Sequence, residues 1–241
     1  MSSSLEDRVG RNTLEVIGSA TKFNEWMFET ILPFSKGRIL EVGSGLGNIS
    51  RYFLNNNKDI MLSDLREEYC IALTSKFGNK RNLLGVQQIN LINPEFDKAY
   101  SDHIGEYNTV FALNVIEHIE EDYLAIQNCK KLLKQNGHLI ILVPSYQKLY
   151  NKIDQELGHF RRYTQATLSQ MFSENGFEVI HQQYFNSMGI LGWYFSGRIQ
   201  KRGIIPSDQM KIYDKLVPAW KVLDNVIQNR VGLSTIVVGR K

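Results

Sequence analysis

Short apolar runs alternate with segments of helical spacing along most of this chain. Residues 38–43, 59–64, 107–113 and 138–143 read as buried strands, 86–90 as a weaker one, and 176–185 and 234–238 as two more. Between them the apolar positions recur at helical intervals over 46–56, 66–77, 120–135, 164–175, 188–201 and 208–229. A first helical pattern covers 5–32, with Phe23, Trp26, Met27 and Ile31 on one stripe and Pro33 closing it. Strands alternating with helices predict an α/β fold: a doubly wound, mostly parallel seven-stranded sheet with helices on both faces. In segment 120–135, Glu120, Glu121 and Asp122 lead and Lys130, Lys131 and Lys134 trail, as the helix dipole favours, with Gly137 expected just past the end. Pro218 is expected to break or restart the last helix, whose stripe of Tyr213, Leu216, Val217, Trp220, Leu223 and Ile227 reads as core. Residues 145–163 form a long connection with little periodicity, and such loops usually carry function.

Composition fits this picture. The 241 residues are 43% hydrophobic and 22% charged, enough for one packed domain without disulfides or metals. The domain is expected to span 1–241, with an N-terminal helical lid over about 5–32 and a C-terminal helical insertion over about 187–230. Cys70 and Cys129 fall in separate predicted helices and suggest no disulfide framework. The polar start, Met1 to Asp7, lacks an apolar leader, and no apolar run reaches the ~20 residues of a membrane span. A cytoplasmic protein is therefore expected. A net charge of +3 is too mild to point to nucleic acid. Residues 198–241 hold nine lysines and arginines against three aspartates. That excess reads first as a solvated helical face, and second as a surface for peripheral contact with anionic lipid or an acidic substrate. Nothing in the pattern sets an oligomeric state.

The chemistry is concentrated after the first strand. Glu41 sits inside it, and Gly43, Gly45 and Gly47 follow at alternate positions before a helical pattern begins. A glycine turn between strand and helix lets backbone N–H groups approach a nucleotide-like ligand. Asn48 stands where the dinucleotide fingerprint wants its third glycine. Asp64 ends the second strand, where an acid accepts hydrogen bonds from ribose hydroxyls. Turn and acid together fit either a nicotinamide dinucleotide or S-adenosylmethionine (SAM).

The pattern Glu41-x-Gly43-x-Gly45-x-Gly47 resembles the first motif of class I SAM-dependent methyltransferases. The segment Leu113, Asn114, Val115, Ile116, Glu117, His118 resembles the motif after the fourth strand in the superfamily's small-molecule branch. The stretches 136–144, 158–164, 176–177 and 186–193 resemble a bacterial subgroup of these enzymes. The resemblance implies an antiparallel last strand, SAM as cofactor, S-adenosylhomocysteine as product, and methyl transfer to a small-molecule acceptor. It also implies that Leu113 and Asn114 line the cofactor pocket. Where many relatives carry an aspartate for the adenine amino group, this chain has Asn90 followed by Leu91, so the Asn90 amide oxygen would accept instead. Glu41 either holds the ligand's ammonium or satisfies backbone amides.

In the long connection His159 is the candidate base, Arg161 and Arg162 candidates for an acidic acceptor group, and Tyr163 a hydrogen-bond donor at the site. The alternative for this cluster is a loop pinned by salt bridges to Asp154 and Glu156. His118 and Trp193 are candidate acceptor contacts, His118 also reading as a packed residue at a helix start. The acceptor is expected to be partly apolar or acidic, and O-methylation is favoured. No acidic cluster with metal-ligand spacing and no C-x-x-C pair appears, so no metal is expected. An NAD(P)-dependent enzyme remains the alternative, as does a SAM-binding protein acting on a macromolecule or a lipid-linked acceptor.

Overall fold

The computed structural model describes residues 2–200, 203–204 and 206–241. Seven strands form one sheet: β1 (Ile39–Val42), β2 (Ile60–Asp64), β3 (Leu83–Gln88), β4 (Tyr107–Leu113), β5 (Leu133–Pro144), β6 (Glu178–Phe185) and β7 (Ser234–Arg240). Their spatial order is β3-β2-β1-β4-β5-β7-β6, and β7 alone runs antiparallel to its neighbours. Among the described residues ten α-helices accompany them: α1 (Ser2–Ser19), α2 (Thr21–Ile31), α3 (Ser50–Asn55), α4 (Glu67–Phe77), α5 (Phe96–Ala99), α6 (Asp122–Leu132), α7 (Lys152–Glu156), α8 (Gln165–Glu174), α9 (Gly189–Tyr194) and α10 (Ser207–Val226).

Strand alternation splits the core into two layers. Leu40, Val42, Val110, Ala112, Leu139 and Ile141 point to one side and pack with Ile126 and Cys129 of α6 and Leu168 and Phe172 of α8. Ile39, Phe111, Ile140, Leu142 and Ile236 point to the other and meet Met27 and Phe28 of α2, Phe53 of α3 and Val217 of α10. The central strands are buried on both faces, which is why they read as continuous apolar runs. Strand order reverses between β1 and β4, and the crevice beyond the carboxyl ends there is where such sheets bind ligands.

Several boundaries differ from the sequence expectation. The pattern over 5–32 is two helices broken at Ala20; the Asn24 amide donates to the Ile17 and Ala20 carbonyls at 2.7 and 2.8 Å and holds the corner. Helix α3 begins only at Ser50, because the turn through Gly47 occupies the residues before it. Helix α6 stops at Leu132 and the chain turns directly into β5, so Gly137 lies within that strand rather than past a helix end. Pro218 sits inside α10 without ending it; Met210 and Val217 before it and Asp224 after it are all buried and hold the helix in place. The connection 145–163 is ordered by α7, where Asn151 and Asp154 cap each other.

Candidate active site

Three glycines after β1 all take positive φ, 72° at Gly43, 53° at Gly45 and 73° at Gly47. At Gly43 a side chain would also run into Val115, in the turn after β4. The Gly45 N–H donates to the Asp64 carboxylate at 2.8 Å, and the Arg66 N–H donates to its other oxygen at 3.0 Å. Asp64 is thus fixed across the top of β1 and β2. Burial raises its pKa, against the lowering pull of the Arg66 and Gly45 hydrogen bonds.

Glu41 is buried within β1 and accepts from the Ser50 hydroxyl, which ties the first turn of α3 to the strand. Burial pushes its pKa up to about 8, while hydrogen bonds from Ser50 and Ser44 oppose the rise. At neutral pH the free protein therefore keeps this carboxyl largely protonated. An ammonium placed beside it would favour the ionised form.

Helix α1 lies over the glycine turn. The Asn48 amide donates to the Leu14 carbonyl at 2.8 Å, and Leu14 side-chain carbons stand 3.0 and 3.3 Å from where a Gly45 Cβ would be. The sequence gives no pattern that singles out Leu14. Trp26 does not join this cover; it is core, its ring 4.3 Å from that of Phe185.

Beyond β3, the Asn90 side-chain oxygen accepts from the Ile92 N–H at 3.0 Å, and the Asn90 N–H donates to the Tyr100 hydroxyl at 2.8 Å. The Asn90 oxygen keeps a second lone pair. Leu91 is buried and its carbonyl accepts from Asn128 at 2.7 Å. Beyond β4, Leu113 is half-buried and Asn114 adopts φ 55°, its N–H donating to the Leu142 carbonyl at 2.8 Å.

The next turn, Ile116–His118, meets the connection after β5. The Phe160 N–H donates to the Glu117 carbonyl at 2.8 Å and joins the two segments. His118 and His159 pack edge to face with ring centroids 4.6 Å apart. His159 Nδ1 lies 2.8 Å from Asp154 Oδ1, which leaves Nε2 for another partner. The Glu117 side chain is fully buried, and both of its carboxylate oxygens lack a hydrogen-bond partner among the described residues. Ligand-capable atoms of Glu117, His118 and His159 all lie within 4.8 Å of one another. Burial pushes Glu117 up to about 7, opposed by His159. Crowding by protein, with the neighbouring His159 ring, pushes His118 down to about 3, although part of its surface stays open to solvent.

The expected loop cluster divides in three. His159 faces the turn after β4. Arg162 lies behind it with a fully buried side chain, donating to the two Asp154 oxygens at 2.8 and 3.1 Å and to the Ser145 carbonyl at 3.1 Å. Burial alone would raise Asp154, but the His159 hydrogen bond and the Arg162 charge outweigh it and hold the carboxyl below its ordinary value. For Arg162, the salt-bridge reading to Asp154 is the one that applies. Arg161 and Tyr163 both turn to Asp122 instead, at 3.0 and 2.7 Å. Tyr163 is buried, and burial followed by the Asp122 carboxylate raises its pKa. Trp193 stacks against Arg162 at 4.7 Å, and its indole N–H is buried without a partner among the described residues. Sequence reasoning assigned no role to Glu117, which the structure buries beside both histidines. Its signal was present as the residue preceding His118 in the motif after β4.

Comparison with known proteins gives the family and the fold. A family model described as "Methyltransferase domain" matches residues 21–182. The polyketide synthase PksR of Bacillus subtilis is 28% identical over 130 residues, which is 50% of this chain and 5% of the synthase. The chain thus spans about a twentieth of the length of that curated relative. Among solved structures, a SAM-dependent methyltransferase from Archaeoglobus fulgidus superposes with TM-score 0.57 at 14% identity, covering 90% of this chain and 94% of the other. Phosphoethanolamine N-methyltransferase 2 of Haemonchus contortus, solved with S-adenosyl-L-methionine, superposes with TM-score 0.60 at 14% identity, covering 89% and 52%.

Proposed function

This chain belongs to the methyltransferase-domain family, and we propose that it transfers the methyl group of SAM to an oxygen of a small-molecule acceptor. The observation that carries the cofactor reading is Asp64, held at the end of β2 by the Gly45 and Arg66 amides beside the glycine turn. SAM supplies an activated methyl group on a sulfonium, and S-adenosylhomocysteine leaves. Asp64 accepts from the ribose hydroxyls. The turn Gly43–Gly47 lets the backbone approach the methionine portion, with Glu41 balancing its ammonium through the neighbouring amides. Asn90 and Leu91 border the adenine, and Leu113 and Asn114 form the wall after β4. Helix α1 closes over the bound cofactor as a lid, and Leu14 shifts to admit it.

The protein's main task is alignment of nucleophile, methyl carbon and sulfur, which is worth an effective molarity of ~10⁵ M or more. His159, oriented by Asp154 through Nδ1, presents Nε2 to the acceptor. As a base it would contribute roughly 10²–10⁴ in rate. Arg162 positions Asp154 rather than touching the acceptor. Arg161 stays partly exposed and can share its charge with an acidic group at the rim. Tyr163 braces Asp122 and so sets the path of the loop. Trp193, with its free indole N–H, and His118 border the acceptor.

Incubation with methyl-labelled SAM and a panel of hydroxy acids, phenols and β-keto thioesters tests this reading. Label in an ether or ester is expected; label on carbon or nitrogen alone would displace the oxygen assignment. A lipid-linked acceptor is a second reading, favoured by exposed Leu191 and Ile199 after β6 and Ile212 and Val222 on α10 in a basic segment. Among the described residues no helix is long and apolar enough to cross a membrane, so such contact would be peripheral. Flotation with anionic liposomes distinguishes it.

A further inference from the structure

Among the described residues the buried Glu117 carboxyl has no hydrogen-bond partner for either oxygen. A fully buried carboxyl with both oxygens unpartnered carries a desolvation cost that some ligand should offset. Two imidazoles stand beside it, with ligand-capable atoms of all three residues within 4.8 Å of one another. We propose that Glu117, His118 and His159 bind a divalent transition-metal cation of the zinc class, with an open position toward the acceptor.

The surroundings have the form of a metal site rather than of a chance cluster. A ligating histidine characteristically gives its other ring nitrogen to a carboxylate or a backbone carbonyl. His159 does so to Asp154 at 2.8 Å, and Asp154 is in turn held by Arg162 and by the Asn151 N–H at 2.9 Å. The two rings meet edge to face, so they approach a shared point from different directions. Two nitrogens and one carboxylate suit zinc, cobalt or ferrous iron better than magnesium or calcium, which prefer oxygen throughout. Three protein ligands leave a fourth position, the pattern of catalytic rather than structural sites.

The site deepens the proposed function, on which its chemical purpose rests. A hydroxyl at the open position loses its proton more readily, since a bound cation lowers the pKa of an oxygen ligand. His159 would then act as a ligand rather than as the base.

Cobalt(II) titrated into the metal-stripped full chain, read by its visible ligand-field absorption, tests the site without any assay of activity. Zinc displacement of the cobalt signal gives the relative affinity. One ion per chain is expected, with affinity falling at least roughly tenfold in Glu117→Gln and in His159→Gln, and roughly 10–100-fold in Asp154→Asn. Cooperative thermal unfolding shows which variants fold; if Glu117→Gln does not, His118→Gln, at an exposed position, replaces it. No saturable cobalt or zinc binding by the wild type, or equal binding by the folded variants, overturns the proposal. S-adenosylhomocysteine binding, measured on the same sample, keeps the two readings apart. Metal without it rejects the cofactor reading alone, and its binding without metal rejects this one alone.

Discussion

At the scale of single residues, Asp64 carries the most information. Both of its oxygens already accept from backbone N–H groups, at 2.8 and 3.0 Å, so the carboxylate is oriented before any ligand arrives. Loss of a charged hydrogen bond costs about 1.5–3 kcal/mol. Asp64→Ala is therefore expected to weaken S-adenosylhomocysteine binding by roughly 10- to 150-fold in calorimetry, and unchanged affinity would remove Asp64 from the site. Glu41 makes a prediction of a different kind. Its pKa rises on folding from 4.5 to about 8, chiefly through burial, so the folded state holds a proton that the unfolded chain gives up. Its contribution to stability is fully present below the unfolded value and is lost as pH climbs toward 8. Glu41→Gln should flatten the decline in melting temperature between pH 5 and 8 relative to wild type. Parallel curves for the two proteins would contradict the protonated assignment. The glycines and Asp64 were legible in the sequence because they depend on spacing along one strand-turn-helix-strand unit. The place of Glu117 was not, because His159 comes beside it from the connection after β5; the Arg162 salt bridge to Asp154 was read only as the alternative to acceptor binding.

Elements show the same division between local and distant causes. The connection 145–163 read as an irregular loop, yet Asp154 organises it through Asn151, His159 and Arg162. Removing Arg162 would leave Asp154 buried and short of its main counter-charge. Arg162→Ala is expected to destabilise the protein by about 3–5 kcal/mol in chemical denaturation, and a loss below about 1 kcal/mol would mean the pair does not hold the loop. Helices α1 and α2 looked continuous because helical spacing runs through Ala20, and a corner made by one asparagine leaves no periodic trace. That corner lets α1 fold across the glycine turn while α2 packs in the core. Hydrogen exchange should accordingly be faster in α1 than in α2 for the free protein, and should slow in α1 when S-adenosylhomocysteine is added. An α1 indifferent to that ligand would contradict the lid. Pro218 is the opposite case, where packing of Met210 and Val217 overrides a strong local signal.

On the scale of the whole molecule, the sheet order β3-β2-β1-β4-β5-β7-β6 gathers most candidate residues at the carboxyl ends of its parallel strands. The glycine turn follows β1, Asp64 ends β2, Asn90 follows β3, Asn114 and Glu117 follow β4, and His159 follows β5. A mostly parallel sheet was legible from alternating runs. The antiparallel β7 was not, since direction leaves no mark on a buried strand, and only the family resemblance implied it. The same crevice could serve a nicotinamide dinucleotide by its topology alone; the glycine spacing and the family match set it apart. Calorimetric titration of the purified chain with S-adenosylhomocysteine, with NADH as the control, tests that central claim most directly. Saturable binding of S-adenosylhomocysteine with a micromolar Kd, about 8 kcal/mol, and no heat with NADH is the predicted result. Binding of NADH without S-adenosylhomocysteine would contradict it.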